Sequence, residues 1–391
     1  MIYLRWAQWL FRCGLRHLNH VVINMDETSV SANHDTAKGW VVDAGVRRDS
    51  DLTTTASRFG GPLLNCTLLG CICSDARVQP FLPQVMLPKP RSPRGFSILV
   101  RDAFSACGAP MEFWHGTNGW CDHESMKHWA TRLRSVVQSC HGSQTWILLV
   151  LDCANCHLDI RTVRHLRSLG ILVLFIPSKL TYLLQPCDVE VFGPFKEALK
   201  KLALLRRIEN HDGSVSFGDW LSITSSVVHG VISNVDWSDT FPRLGLSRDH
   251  NFLMSDISEH VAQEEVGPRL PSLAEFAELI GRPAHTATSQ SLYRLILASH
   301  VELADKLPGS MPKSGLQIDV PVLPAAPRRP NHWSPTPDSD IGHALHQYLS
   351  HSRGNAPSPA VAFREARHFD RPIGARDAVV GPAAGIRAYA G

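Results

Sequence analysis

Three aspartates stand where apolar runs stop. Asp26 closes VVINMD, Asp152 closes WILLVLD, and Asp188 follows LLQPC, with 35 residues between the second and third. Burying an unpaired carboxylate costs several kcal/mol, so each acid belongs at the exit of its element, near water or a cation. Taken alone, Asp26 is explained by a strand running into a helix cap or turn, where Asp and Thr both serve. Three acids brought together are a different matter, because like charges raise one another's pKa and a hard divalent cation relieves the repulsion. Oxygen-only ligands suit Mg²⁺ or Mn²⁺. Two such ions about 3.5 to 4 Å apart activate a water or a 3′-hydroxyl and stabilise the leaving oxygen in phosphodiester transfer, with no covalent enzyme intermediate.

Other residues near these acids carry plainer readings. Glu27 and Glu190 are candidates to support the metal site, yet each also reads as a solvated residue beside a turn or in a helix's first turn. Asp75 and Asp122 lie in the neighbourhood without a strand-end argument. Cys153-x-x-Cys156 with His157 adjacent has the form of a zinc or redox pair; with no second CxxC, and with Cys71-x-Cys73 wrongly spaced for a ribbon, these read as buried or loop thiols. Lys196, Lys200, Lys201, Arg206 and Arg207 form a basic run suited to a nucleic-acid backbone. Phe195, Leu199, Leu202 and Leu205 make the apolar stripe opposite, so the same run serves as the solvated face of an amphipathic helix.

Positioning three acids requires particular elements. Val21 to Ile23 is a strand, and Trp40 to Ala44 and Leu63 to Cys73 are strand-like, which gives an antiparallel set of three. The prolines of RVQPFLPQVML restrict it to irregular or edge structure. Met126, Trp129, Leu133 and Val137 recur at helical spacing, and TWILLVLD is a buried strand. Val163, Leu166 and Leu169 form a helix face ending at Gly170, and ILVLFIP is a second buried strand, parallel to the first. If the first strand lies beside the strand ending at Asp152, Asp26 and Asp152 project at neighbouring ends, and Asp188 closes the cluster from the start of the basic helix. The expected fold is a mixed α/β sheet, antiparallel first and then parallel, with flanking helices.

The division along the chain is an N-terminal segment to residue 17, the α/β domain over 18–210, a helical region over 211–307, and a Pro-rich tail from 308. In the helical region Ser272 and Glu275 stand in capping-box register. The tail holds 12 of the chain's 26 prolines in 84 residues and reads as disordered. The acid-free first 25 residues, with Arg5, Arg12 and Arg16, superficially resemble a transit peptide, but cleavage there would crowd the strand at Val21.

The composition is globular: 391 residues, 44% hydrophobic and 19% charged, enough for one large domain or two ordinary ones. A net charge of +3 neither requires nor forbids a polyanionic partner. Ten cysteines at irregular spacings, several in apolar runs, indicate a reducing, intracellular setting. Apolar runs such as Ile147 to Leu151 fall far short of the roughly 20 residues that span a bilayer, so no membrane partner is expected.

NMDET, LLVLDCANCH and PSKLTYLLQPCDVEVFGPFK resemble, in order, the three catalytic blocks of the DDE endonuclease domain of pogo-like transposases in the Tc1/mariner superfamily. CTLLGCICSDARVQPFLP and NGWCDHESMKHWATRL are similar to the segments between them, and the resemblance covers roughly residues 18 to 205. It implies an RNase H-like fold; Asp26, Asp152 and Asp188 as the catalytic, metal-binding acids; two Mg²⁺ or Mn²⁺ ions; and DNA cleavage with transfer of a 3′-hydroxyl. His157 matches the family's histidine a few residues after the second acid, and Tyr182 stands where the family often has histidine. The resemblance further implies a homodimer, since paired element ends need paired sites, and a nuclear location. The family usually carries helix-turn-helix domains upstream, and only about 20 residues precede the first strand. The competing reading is therefore a transposase-derived DNA-binding or interaction protein without catalysis; a nuclease of RNA–DNA hybrids is a third.

Overall fold

The computed structural model describes residues 1–31, 65–88, 111–114, 120–210, 215–248, 253–261 and 267–304. Its centre is β1 (His20–Ser31), which begins with the buried Val21, Val22 and Ile23 and continues past the acids instead of stopping at them. On one side β1 pairs antiparallel with β2 (Asn65–Cys73), which pairs antiparallel with β3 (Gln84–Pro88). The short β4 (Met111–Phe113) adds parallel to β3 at the edge. On its other side β1 runs parallel to β5 (Trp146–Leu151), and β5 runs parallel to β6 (Ile171–Phe175). The order is β4-β3-β2-β1-β5-β6, the mixed, RNase H-like sheet that the pattern calls for.

Two expectations change in detail. The third antiparallel strand is Gln84–Pro88, and it is flanked on both sides by strands. Pro80 and Pro83 precede it and Pro88 ends it, so no proline removes a ladder N–H from its middle, which is why an interior position is tolerated. Trp40–Ala44 and the Pro-rich tail from residue 308 lie outside the described residues.

Every residue of β5 and β6 is buried, as in parallel strands covered on both faces. The helices around the sheet are α1 (Ile2–Trp9), α2 (His123–His141), α3 (Ile160–Ser168), α4 (Phe192–Glu209), α5 (Phe217–Val227), α6 (Leu273–Leu279) and α7 (Ala287–Ala304), and of these α3 and α7 pack directly on β6. In α2, Met126, Trp129, Leu133 and Val137 are fully buried. Its start is set by Asp122, whose carboxylate accepts the Ser125 N–H at 2.8 Å, one of the donors a helix leaves unpaired. Asp122 is therefore a cap. α3 stops at Gly170, which takes φ +70°, a conformation that favours glycine after a helix. The capping box of Ser272 and Glu275 is formed at the start of α6.

The chain's beginning is built into the same core as its helical region. Trp6 of α1 donates its indole N–H to His300 of α7 at 3.1 Å and meets the Phe276 ring of α6 at 6.0 Å between centroids. Tyr3, Trp6, Ala7 and Leu10 are buried in the continuous apolar cluster that includes the sheet. Residues 1–17 thus pack as part of the core, through contacts nearly 300 positions apart that no local pattern signals.

Candidate active site

β1 and β5 are in parallel register with Asn24 opposite Val150. Two positions further along each strand stand Asp26 and Asp152, so the register alone sets these acids side by side. Asp188 arrives from the third direction, in a π-helical turn over Cys187–Val191 that runs into α4. Turns of this wide kind recur at functional sites.

Asn24 ties the three segments together. Fully buried, it donates its amide to the Val150 carbonyl at 2.9 Å and accepts the Cys187 N–H at 2.8 Å. One side chain thereby links the backbones two residues before Asp152 and one residue before Asp188, from a position two residues before Asp26. Side chains alternate along a strand, so Asn24 and Asp26 share the sheet face on which Asp188 lies. On that face Asp26 pairs with Gly70 of β2, and a Cβ there would come within 2.8 Å of the Phe192 ring. Glycine at 70 is what lets the start of α4 close on the acids.

Asp26 is 7% exposed, and burial first, then the charges of Asp188 and Asp152, push its carboxyl well above the usual carboxylate range. Burial also raises Asp188, while its interaction with Asp26 opposes the rise. Burial alone would raise Asp152 too, but a 2.6 Å hydrogen bond from His157 Nδ1 and one from the Ala154 N–H hold it below the usual range. His157 is buried, which opposes its charge, yet the Asp152 carboxylate and the adjacent Cys156 sulfur keep its pKa well above that of free imidazole.

Raising one another's pKa is what clustered carboxylates do when no cation neutralises them. The donors are all oxygen, and Asp152 commits only Oδ1 to its hydrogen bonds. This set fits a hard divalent cation.

The supporting residues sort differently. Glu27 points to the opposite face, where Cys156 Sγ donates to its Oε1 at 3.8 Å; burial, then the Cys156 sulfur, lifts Glu27 to about 7. Cys156 is lowered to about 5, chiefly by a hydrogen bond from Cys121. Glu190 departs from its expected supporting role. Its buried carboxylate accepts from Thr240 at 2.8 Å and pairs with Arg243 at 2.7 Å, which anchors the turn to the helical region. Asp75 pairs with Arg77 at 2.7 Å.

The basic run also divides. Lys196 is half-buried, near enough to Asp188 and Asp26 to feel both charges, with its ammonium 6.0 Å from the Phe192 centroid. Lys200 and Lys201 are exposed, and Lys201 pairs with Glu197 at 3.0 Å. Arg206 is taken up by Asp219 at 2.7 Å and Glu209 at 3.1 Å, tying α4 to α5; Arg207 is half-buried. Phe195, Leu199 and Leu202 are buried, but Leu205 is 41% exposed, because the end of α4 leaves the sheet.

Residues 66–229 match the family model of the DDE superfamily endonuclease. The matched stretch contains Asp152 and Asp188 and begins in β2, after Asp26, so β1 lies outside it. This agrees with the resemblance drawn from the three sequence blocks. Neither a curated protein nor a solved structure matches the chain. Among the described residues, no helix is long and apolar enough to cross a membrane.

Sequence reasoning passed over Asn24 and Cys121. Asn24 stood inside the quoted NMDET block, and a polar residue flanked by buried strand positions was the available signal. Cys121 had none, because its neighbours in space come from other segments.

Proposed function

We propose that the chain is a pogo-like transposase-type DDE endonuclease, which cleaves DNA and transfers the resulting 3′-hydroxyl to a target strand. The observation that carries this reading is the meeting of Asp26, Asp152 and Asp188, brought together by the β1–β5 register and the Asn24 clamp, close enough for each charge to raise Asp26. These three residues would hold two Mg²⁺ or Mn²⁺ ions. When bound, such ions supply Lewis-acid activation of the attacking oxygen and neutralise charge at the leaving oxygen.

The chain's own residues do the positioning. Asn24 fixes the spacing of the three acid-bearing segments, His157 orients Asp152, and Asp188 stays at the exposed rim where a phosphodiester arrives. Lys196 and Lys200 on α4 meet backbone phosphates, contacts that add salt-dependent affinity without reading sequence. Pairing of two DNA ends calls for two copies of the chain, acting in the nucleus.

The test is nicking of supercoiled plasmid by the full chain with Mn²⁺, comparing wild type, Asp152→Asn and an EDTA control. Nicking by wild type alone supports the reading. Equal nicking by Asp152→Asn overturns it, and a folded wild type that binds DNA but never nicks favours the non-catalytic, transposase-derived binder.

A further inference from the structure

On the sheet face opposite Asp26 and Asp188 lies a second polar cluster of different chemistry. Glu27, Cys156 and His157 each place a ligand atom within 4.8 Å of the other two. Cys121, just before the cap of α2, is 8% exposed and near enough to Cys156 to feel its charge, and its thiol donates to the Asp122 carbonyl at 3.7 Å. The donors are thus two sulfurs, one imidazole and one carboxylate, drawn from β1, the loop after β5 and the lead-in to α2.

His157 supplies an independent observation. It is 1% exposed, its Nδ1 is committed to Asp152, and its Nε2 is buried without a hydrogen-bond partner. An unsatisfied buried nitrogen calls for an explanation. A ring held by a carboxylate at one nitrogen, with the other free and with sulfur and carboxylate groups within 4.8 Å of the ring, offers the parts of a carboxylate–histidine–zinc unit.

We propose that Glu27, Cys156 and His157 form a zinc site that braces the acid-bearing strand ends from behind, with Cys121, beside Cys156 but outside the trio of mutually close ligand atoms, moving in as the fourth ligand. Sulfur and imidazole donors select zinc over magnesium. Tetrahedral bonds of about 2.0 to 2.3 Å set ligand atoms about 3.5 Å apart; Cys156 Sγ and Glu27 Oε1 are already at 3.8 Å and the atoms of the trio lie within 4.8 Å of one another, so the trio closes with shifts of about 1 Å and Cys121 swings in from farther away. The ligands bind as two thiolates, a carboxylate and a neutral imidazole, releasing their protons to solvent. Cys153 takes no part, since its thiol donates to the Ile176 and Leu279 carbonyls. The pairing of Cys153 with Cys156 that the sequence spacing offered is replaced by Cys156 with Cys121.

This site stands independently of the nuclease reading, and its test uses no nicking. The full chain, with the exposed Cys13 and Cys140 changed to Ser, is stripped of metal under reducing conditions and titrated with Co²⁺ while folding is followed by circular dichroism. Thiolate-to-cobalt charge-transfer absorption should saturate at about one equivalent per chain and be bleached by Zn²⁺. Cys121→Ser and Cys156→Ser should each lower its intensity by about half, whereas Cys153→Ser and Asp188→Asn leave it intact. Absence of the band in the folded parent overturns the proposal, as does a band that survives both ligand changes. A Cys121–Cys156 disulfide that persists under these conditions also overturns it.

Discussion

The two faces of β1 carry two chemistries one residue apart. Asp26 joins Asp152 and Asp188 in an oxygen-only cluster, while Glu27 turns to the sulfur and imidazole of Cys156 and His157. Adjacent acids of similar intrinsic strength are separated by nothing more than strand alternation. The faces communicate at one point, the 2.6 Å bond between His157 and Asp152. The acid face has an exposed carboxylate, Asp188, at its rim, whereas the thiol face is half-buried or buried throughout.

Breaking the acid face alone gives the largest expected effect. Asp188→Asn should lower plasmid nicking by about 1000-fold or more, the scale of losing several kcal/mol of metal-assisted stabilisation. Its urea midpoint should stay the same or rise, because the change removes a carboxylate from a repulsive cluster. A lowered midpoint would mean that Asp188 is structural. Next comes Asn24→Ala, which leaves the Cys187 N–H and the Val150 carbonyl unpaired in the core. A loss of about 2 to 3 kcal/mol in urea denaturation is expected, with nicking down about 10- to 100-fold from misplaced acids. Cobalt absorption at the thiol face should persist in this variant; its disappearance would show that the two faces form one unit. Gly70→Ala should act most mildly. Its new methyl presses on Phe192 and destabilises by about 1 to 3 kcal/mol, visible as a lower melting temperature, and an unchanged melting temperature would mean that α4 moves aside freely.

Local pattern made much of this legible. The apolar triplet Val21–Ile23, the continuous run Trp146–Leu151 and the stripe of Met126, Trp129, Leu133 and Val137 are periodic signals that need no knowledge of partners. The caps at Asp122 and Ser272 were readable in principle for the same reason, although only Ser272 was recognised. Glu190 was misplaced because its partners, Thr240 and Arg243, lie about 50 positions downstream. The split of Cys153 from Cys156 escaped for a related reason. A loop conformation decides which way each thiol turns, and CxxC spacing is silent on that.

The sequence by itself determined which residues could do chemistry and that they stand at the ends of buried strands, because hydrophobic burial acts through local composition and period. Only the tertiary structure decided that Asp26 meets Asp152 and Asp188 while Glu27 meets Cys156. Those meetings join segments more than 100 positions apart, and they are set by the parallel register of β1 on β5, the Asn24 clamp and the close approach of α4 over Gly70.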